Sequence, residues 1–105
     1  MVDGAELPFA AVWRPRLLGG AFGEPVEIRI FAEPLTPAVA ETKYGVAGFD
    51  RPHLAFFDPE QCEGLKEDDE VAWDGMSLTV RAVKRYDFAD VRTLEAVITG
   101  RTRGR

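Results

Sequence analysis

A single histidine, a single cysteine and a run of carboxylates are the residues of this 105-residue chain whose types and spacing allow chemistry. His53 has Asp50 and Asp58 nearby in sequence, either of which could orient it as a general base. Nothing else in the chain completes such a site, so the favoured reading of His53 is a strand-start residue beside Pro52. Cys62 sits between Glu60 and Glu63, whose charges raise a thiol pKa and disfavour the nucleophilic thiolate. The consecutive acids Glu67 to Glu70 offer hard oxygen ligands, but without the spacing of a calcium loop, and they read better as a solvated face. One cysteine excludes an internal disulfide and a cysteine-based zinc site. The sequence therefore predicts no catalytic residues, no metal site and no cofactor. Leu18-Gly19-Gly20-Ala21-Phe22-Gly23 is glycine-rich, but no Lys-Ser/Thr pair follows to make it a phosphate loop.

With enzymes set aside, charge and loops carry the remaining signal. The net charge of −5 argues against a general nucleic-acid surface. The charge is unevenly spread. Residues 60–70 hold six acids against Lys66, whereas the C-terminal tail carries Arg101, Arg103 and Arg105. Such asymmetry suits contacts with other proteins. No apolar run reaches membrane-spanning length, and the acidic N-terminus lacks the basic start of a signal peptide. The expected setting is the cytoplasm. The length predicts a single domain over 1–105, with an arm at 1–7, a β domain at 8–100 and a basic tail at 101–105.

The elements that must position these residues are mostly short strands. Val71-Ala72-Trp73 and Met76 to Val83 flank Asp74-Gly75, a strong signal for a type I′ hairpin. Along the second strand, Met76, Leu78, Val80 and Ala82 are expected on one face, with Ser77, Thr79, Arg81 and Val83 on the other. Pro25 to Ala32 alternates with a period of two, putting Val26, Ile28, Ile30 and Ala32 inward and leaving Phe31 on the polar side. His53 to Phe57 reads as a compact buried strand, and Thr93 to Thr99 as the last strand, with Leu94, Ala96 and Ile98 inward and Glu95 and Thr99 outward. Tyr86 to Val91 reads as a connection. Pro8 to Trp13 is strand or one helical turn; its periodicity does not decide.

Two local helices are expected. Asp58-Pro59-Glu60-Gln61 has a capping-box pattern that predicts one short helical turn stopped by Gly64. In the irregular stretch 33–52, Thr36-Pro37 either caps a short helix to about Lys43 with Gly45 as its stop, or belongs to a long loop. Tyr44, Val46 and Phe49 are more apolar than a solvated loop needs, which marks them as candidate interaction residues together with the arginines of the tail. The expected fold is mainly β, a small antiparallel sandwich or barrel with one short helix and a long mobile loop.

The order of these features resembles the phage head–tail attachment proteins, the lambda FII-type joining family. Ile28 to Pro34 resembles that family's strand ending in an aromatic-acid-acid-Pro turn, followed by a long glycine-containing loop. Pro52 to Phe56 is similar to its next strand, Glu60 to Leu65 to its spacer, Glu67 to Val71 to its turn, Asp74 to Val83 to its hairpin, and Leu94 to Ile98 to its closing strand. The basic tail is also a family trait. The chain departs from the pattern in its shorter N-terminal segment and in Asp68, where glycine is common.

The resemblance implies a non-catalytic adaptor of a phage or prophage neck. Its partners would be the portal-associated head connector and the tail-tube protein. It would self-associate into a ring on assembly, and monomers when free are compatible with that. Its place would be the virion's head–tail interface, after assembly in the host bacterial cytoplasm. The alternative is a small β-barrel protein-binding module of a bacterial cytoplasmic complex unrelated to phage.

Overall fold

The computed structural model of the chain describes residues 7–88 and 91–100. Six strands, β1 (Phe9–Arg14), β2 (Val26–Pro34), β3 (His53–Phe57), β4 (Glu70–Trp73), β5 (Met76–Phe88) and β6 (Val91–Thr99), accompany one helix, α1 (Pro37–Tyr44). The strands close into an antiparallel barrel in the order β1-β2-β3-β6-β5-β4. A six-stranded barrel is narrow enough for side chains to fill it. Alternation in β2 delivers Ile28, Ile30 and Ala32 to that interior, and β6 delivers Leu94, Ala96 and Ile98. Phe57 is fully buried among them, a placement worth about 2–3 kcal/mol in removed apolar surface.

Asp74 and Gly75 both have positive φ, 54° and 75°, as a type I′ turn requires, and they join β4 to β5 with Trp73 opposite Met76. Asp68 has φ 77°, the left-handed conformation that glycine enters freely and Asp tolerates better than most residues. At position 68 the backbone is therefore glycine-like even though the residue is not glycine.

Strand β5 departs from simple alternation. Val80 pairs with Ile98, but Ala82 pairs with Val97, so Arg81 is an extra residue in a β-bulge. One extra residue reverses the facing of everything after it. Ala82 consequently leaves the core face and packs outside with Val97, while Val83 turns inward, opposite to the expected assignment. Strand β5 also continues through Tyr86 to Phe88, paired with β6, so the expected connection at 86–91 is mostly the end of a long β-ribbon.

The connection 58–69 is not helical. β3 and β4 lie on opposite sides of the barrel, and the connection crosses the end between them. Cys62 and Leu65 point into the core from there and plug the opening. The expected capping box is replaced by turns. The Asp58 carboxylate accepts from the Glu60 amide at 2.9 Å, and the Asp58 carbonyl accepts from Gln61 and Cys62. Gln61 has another use: its Oε1 accepts from the Arg29 amide at 2.9 Å, just beyond the last β2–β3 pair.

Helix α1 is the capped alternative for residues 36–45. Thr36 Oγ1 accepts from the Val39 amide, Pro37 opens the first turn, and Gly45 ends it with φ 72°. It packs on the outside of the barrel through Ala40, Val46 and Val97.

Candidate functional site

The antiparallel order gives the barrel two distinct ends. At one end lie the β1–β2 loop, the 58–69 plug and the β5–β6 ribbon. At the other lie the Asp74-Gly75 turn and both termini of the described chain, Leu7 and Gly100, while the connection holding α1 runs along the outer wall of β5 and β6. Leu7 was expected in a loose arm, but it is buried, and its carbonyl and that of Pro8 accept from the Arg29 guanidinium at 3.1 and 2.7 Å. Gly100 is held by its amide donating to the Asp50 carbonyl at 2.7 Å.

The sequence-predicted interaction residues fall into two groups. Arg101, Arg103 and Arg105 lie outside the described residues. Tyr44, Val46 and Phe49 are brought together, but their apolar surface is largely used within the chain. Val46 is buried against Ala40 and Val97. Phe49 is half-buried beneath the Arg81 guanidinium, 3.9 Å from its ring centre, and Arg81 Nε also donates to Thr99 Oγ1 at 3.1 Å. Thr99, expected to face solvent, is fully covered. The bulge residue thus pins the 45–49 segment to the barrel wall.

Tyr44 contributes to a polar cluster that sequence reasoning missed. Its hydroxyl donates to Glu95 Oε2 at 3.4 Å, and the Tyr86 hydroxyl donates to Glu95 Oε1 at 2.8 Å. Lys43 and Lys84 stand over the two tyrosine rings, and the groups line a cleft of about 390 Å³ between α1 and the ribbon. The cluster joins residues far apart in sequence, so no local motif announced it.

His53 and Asp58 sit at opposite ends of β3, on the order of 15 Å apart along a strand. The His53 ring meets the Arg51 carbonyl at 2.9 Å and the Trp73 ring edge-on at 5.4 Å. Cys62 is fully buried, and burial, with the Asp58 and Asp69 charges, pushes its thiol up to about 12. Burial and these two aspartates, rather than the adjacent Glu60 and Glu63, are responsible. Among the described residues, no three of His, Cys, Asp and Glu gather as a metal site.

The acidic run is not uniformly a solvated face. Asp69 is fully buried. Its carboxylate accepts from the Trp13 indole at 2.9 Å, the Arg16 amide at 2.8 Å, and the Lys66 amide and ammonium at 3.0 and 2.9 Å. Burial alone raises a carboxyl pKa, but these donors outweigh it and hold Asp69 below its usual value. The knot binds the plug to the end of β1.

Beyond that knot the β1–β2 loop is an ordered tip. Arg16 and Phe22 form a bridge, the Leu17 amide donates to the Ala21 carbonyl at 2.8 Å, and the Gly23 amide to the Pro15 carbonyl at 2.7 Å. Gly19 and Gly20 turn it with φ 90° and 95°. The tip carries three exposed apolar side chains: Leu18 at 102 %, Leu17 at 50 % and Phe22 at 38 % of full accessibility. A further aromatic row, Phe9–Phe31–Phe56, has centroid spacings of 6.0 and 6.2 Å, and Phe31 remains exposed. Among the described residues, no helix is long and apolar enough to cross a membrane.

Comparison with protein-family models, with curated proteins and with solved structures finds no match to this chain.

Proposed function

We propose that the chain is a structural adaptor of a phage or prophage neck. It joins the head connector to the tail tube by protein–protein binding, as one subunit of a ring. The observation that carries this reading is the two-ended barrel, with an apolar tip and a ribbon at one end and the Asp74-Gly75 turn and the ends of the described chain at the other. A body that must touch one partner on each side needs two different ends held at a fixed distance. A closed barrel with a plugged end supplies that rigidity. The ordered resemblance along residues 28–98 supports the same reading, and so does the exposed apolar surface, since large apolar side chains grouped on a surface mark interaction sites.

The test is electron microscopy of the purified protein mixed with connector-bearing heads and with tail tubes. Decoration of either structure, and gain of head–tail joining when both are present, is expected. A chain that decorates neither overturns the adaptor.

A further inference from the structure

We infer that the Leu17–Phe22 tip of one subunit seats in a groove on the barrel wall of a second copy of this chain. The inference rests on the ring of the proposed function and specifies its contact.

The tip is preformed. Its backbone is closed by three internal hydrogen bonds and the Arg16–Phe22 bridge, and the Arg16 guanidinium lies 4.8 Å from the Phe22 ring centre. Little ordering entropy remains for a partner to offset. A fully exposed Leu18 between Leu17 and Phe22 has no role in the folded monomer that its contacts reveal.

The matching surface is the outer face of β2, β1 and β4, where a shallow groove of about 800 Å³ runs to the Asp74-Gly75 turn. Its floor is small and apolar: Ala10, Val12 and Ala72 point outward where neighbouring barrel walls carry charged or aromatic side chains. Small side chains make the groove, and large ones make the tip. Charge also matches. Glu27 and Asp74 flank the groove, and neither is in an ion pair among the described residues. Arg29, the groove's cation, is already turned onto the Leu7 and Pro8 carbonyls. The tip brings Arg16 with it.

Tip and groove are different patches of one chain, so the contact is heterologous. Each copy offers a tip to one neighbour and a groove to the other, which propagates and closes into a ring where the rotation allows.

The test is cross-linking of purified protein at high concentration. A Leu18→Cys/Ala10→Cys double variant is treated with a short bis-maleimide; the native Cys62 is buried and stays out of the reaction. A ladder of dimers, trimers and higher species is expected. An equal mixture of the two single variants should stop at dimers. Adding Leu17→Glu and Phe22→Glu to the double variant should reduce the ladder at least about tenfold, which corresponds to about 1.4 kcal/mol of lost contact. A yield no greater than that of a Leu18→Cys/Val39→Cys control overturns the contact, as does equal linking by Leu18→Cys alone, which would indicate a symmetric pair. Tube decoration that persists without a ladder removes this contact and leaves the adaptor; a ladder without decoration does the reverse.

Discussion

The Trp13 indole N–H donates to Oδ2 of Asp69 across 56 residues of sequence, at 2.9 Å and in a buried setting. With Lys66 and the Arg16 amide it makes Asp69 the most heavily hydrogen-bonded carboxylate among the described residues. Replacing Asp69 with Ala leaves several donors without an acceptor and should cost about 3 kcal/mol. Because the donors lower the folded pKa below the unfolded one, the contribution is present above about pH 4 and is lost as pH falls through the folded value. Urea unfolding of the wild type should therefore show a stability loss below about pH 4 that Asp69→Asn lacks. Parallel pH profiles for the two proteins would contradict this.

Arg81 does two separable jobs. As a side chain it covers Phe49 and donates to Thr99, so Arg81→Ala should cost about 1–2 kcal/mol. As a residue it is the bulge that turns Ala82 out and Val83 in. Deleting it removes only the unpaired residue, so Val80 stays opposite Ile98, Ala82 opposite Val97, and every later side chain keeps its face. The deletion variant should therefore still unfold cooperatively on heating, destabilised about as much as Arg81→Ala, whereas deleting the paired Thr79 should disrupt the register. Loss of cooperative unfolding on deleting Arg81 would show that the bulge is itself needed to bend the wall.

Cys62 should be silent in the native protein. With its thiol near 12, only about one molecule in ten thousand carries a thiolate at about pH 8, and none of the side chain is exposed. Labelling by an aromatic disulfide reagent should therefore track opening of the 58–69 plug, with a rate that rises with urea. Rapid stoichiometric labelling without denaturant would mean that the plug opens freely.

The legible parts of this fold were those with a local physical cause. The period of two in Val26 to Ala32 and in Leu94 to Ile98 follows from burying one face of a strand, and Asp74-Gly75 from the need for positive φ. The helix cap at Thr36 was likewise local, although a loop reading stood beside it. What escaped depends on partners remote in sequence. Nothing distinguishes Asp69 from Asp68 in the chain; Trp13 and Arg16 do so in space. The β5 bulge leaves no composition signal, because Arg81 fits either parity until Phe49 and Thr99 are beside it. Tyr44 and Phe49 looked like free apolar surface because the barrel wall that covers them is built from β5 and β6. The exposed leucines were hidden in plain view, since a glycine-rich segment reads first as a turn.

The shared exit of both described chain ends, Leu7 and Gly100, has a practical corollary. A fusion partner joined directly at Leu7 or at Gly100 hangs from the same pole of the barrel. Coupled to a solid support through such a handle, the subunit stands with its leucine tip and ribbon facing the bulk liquid, and every immobilised copy shares that polarity.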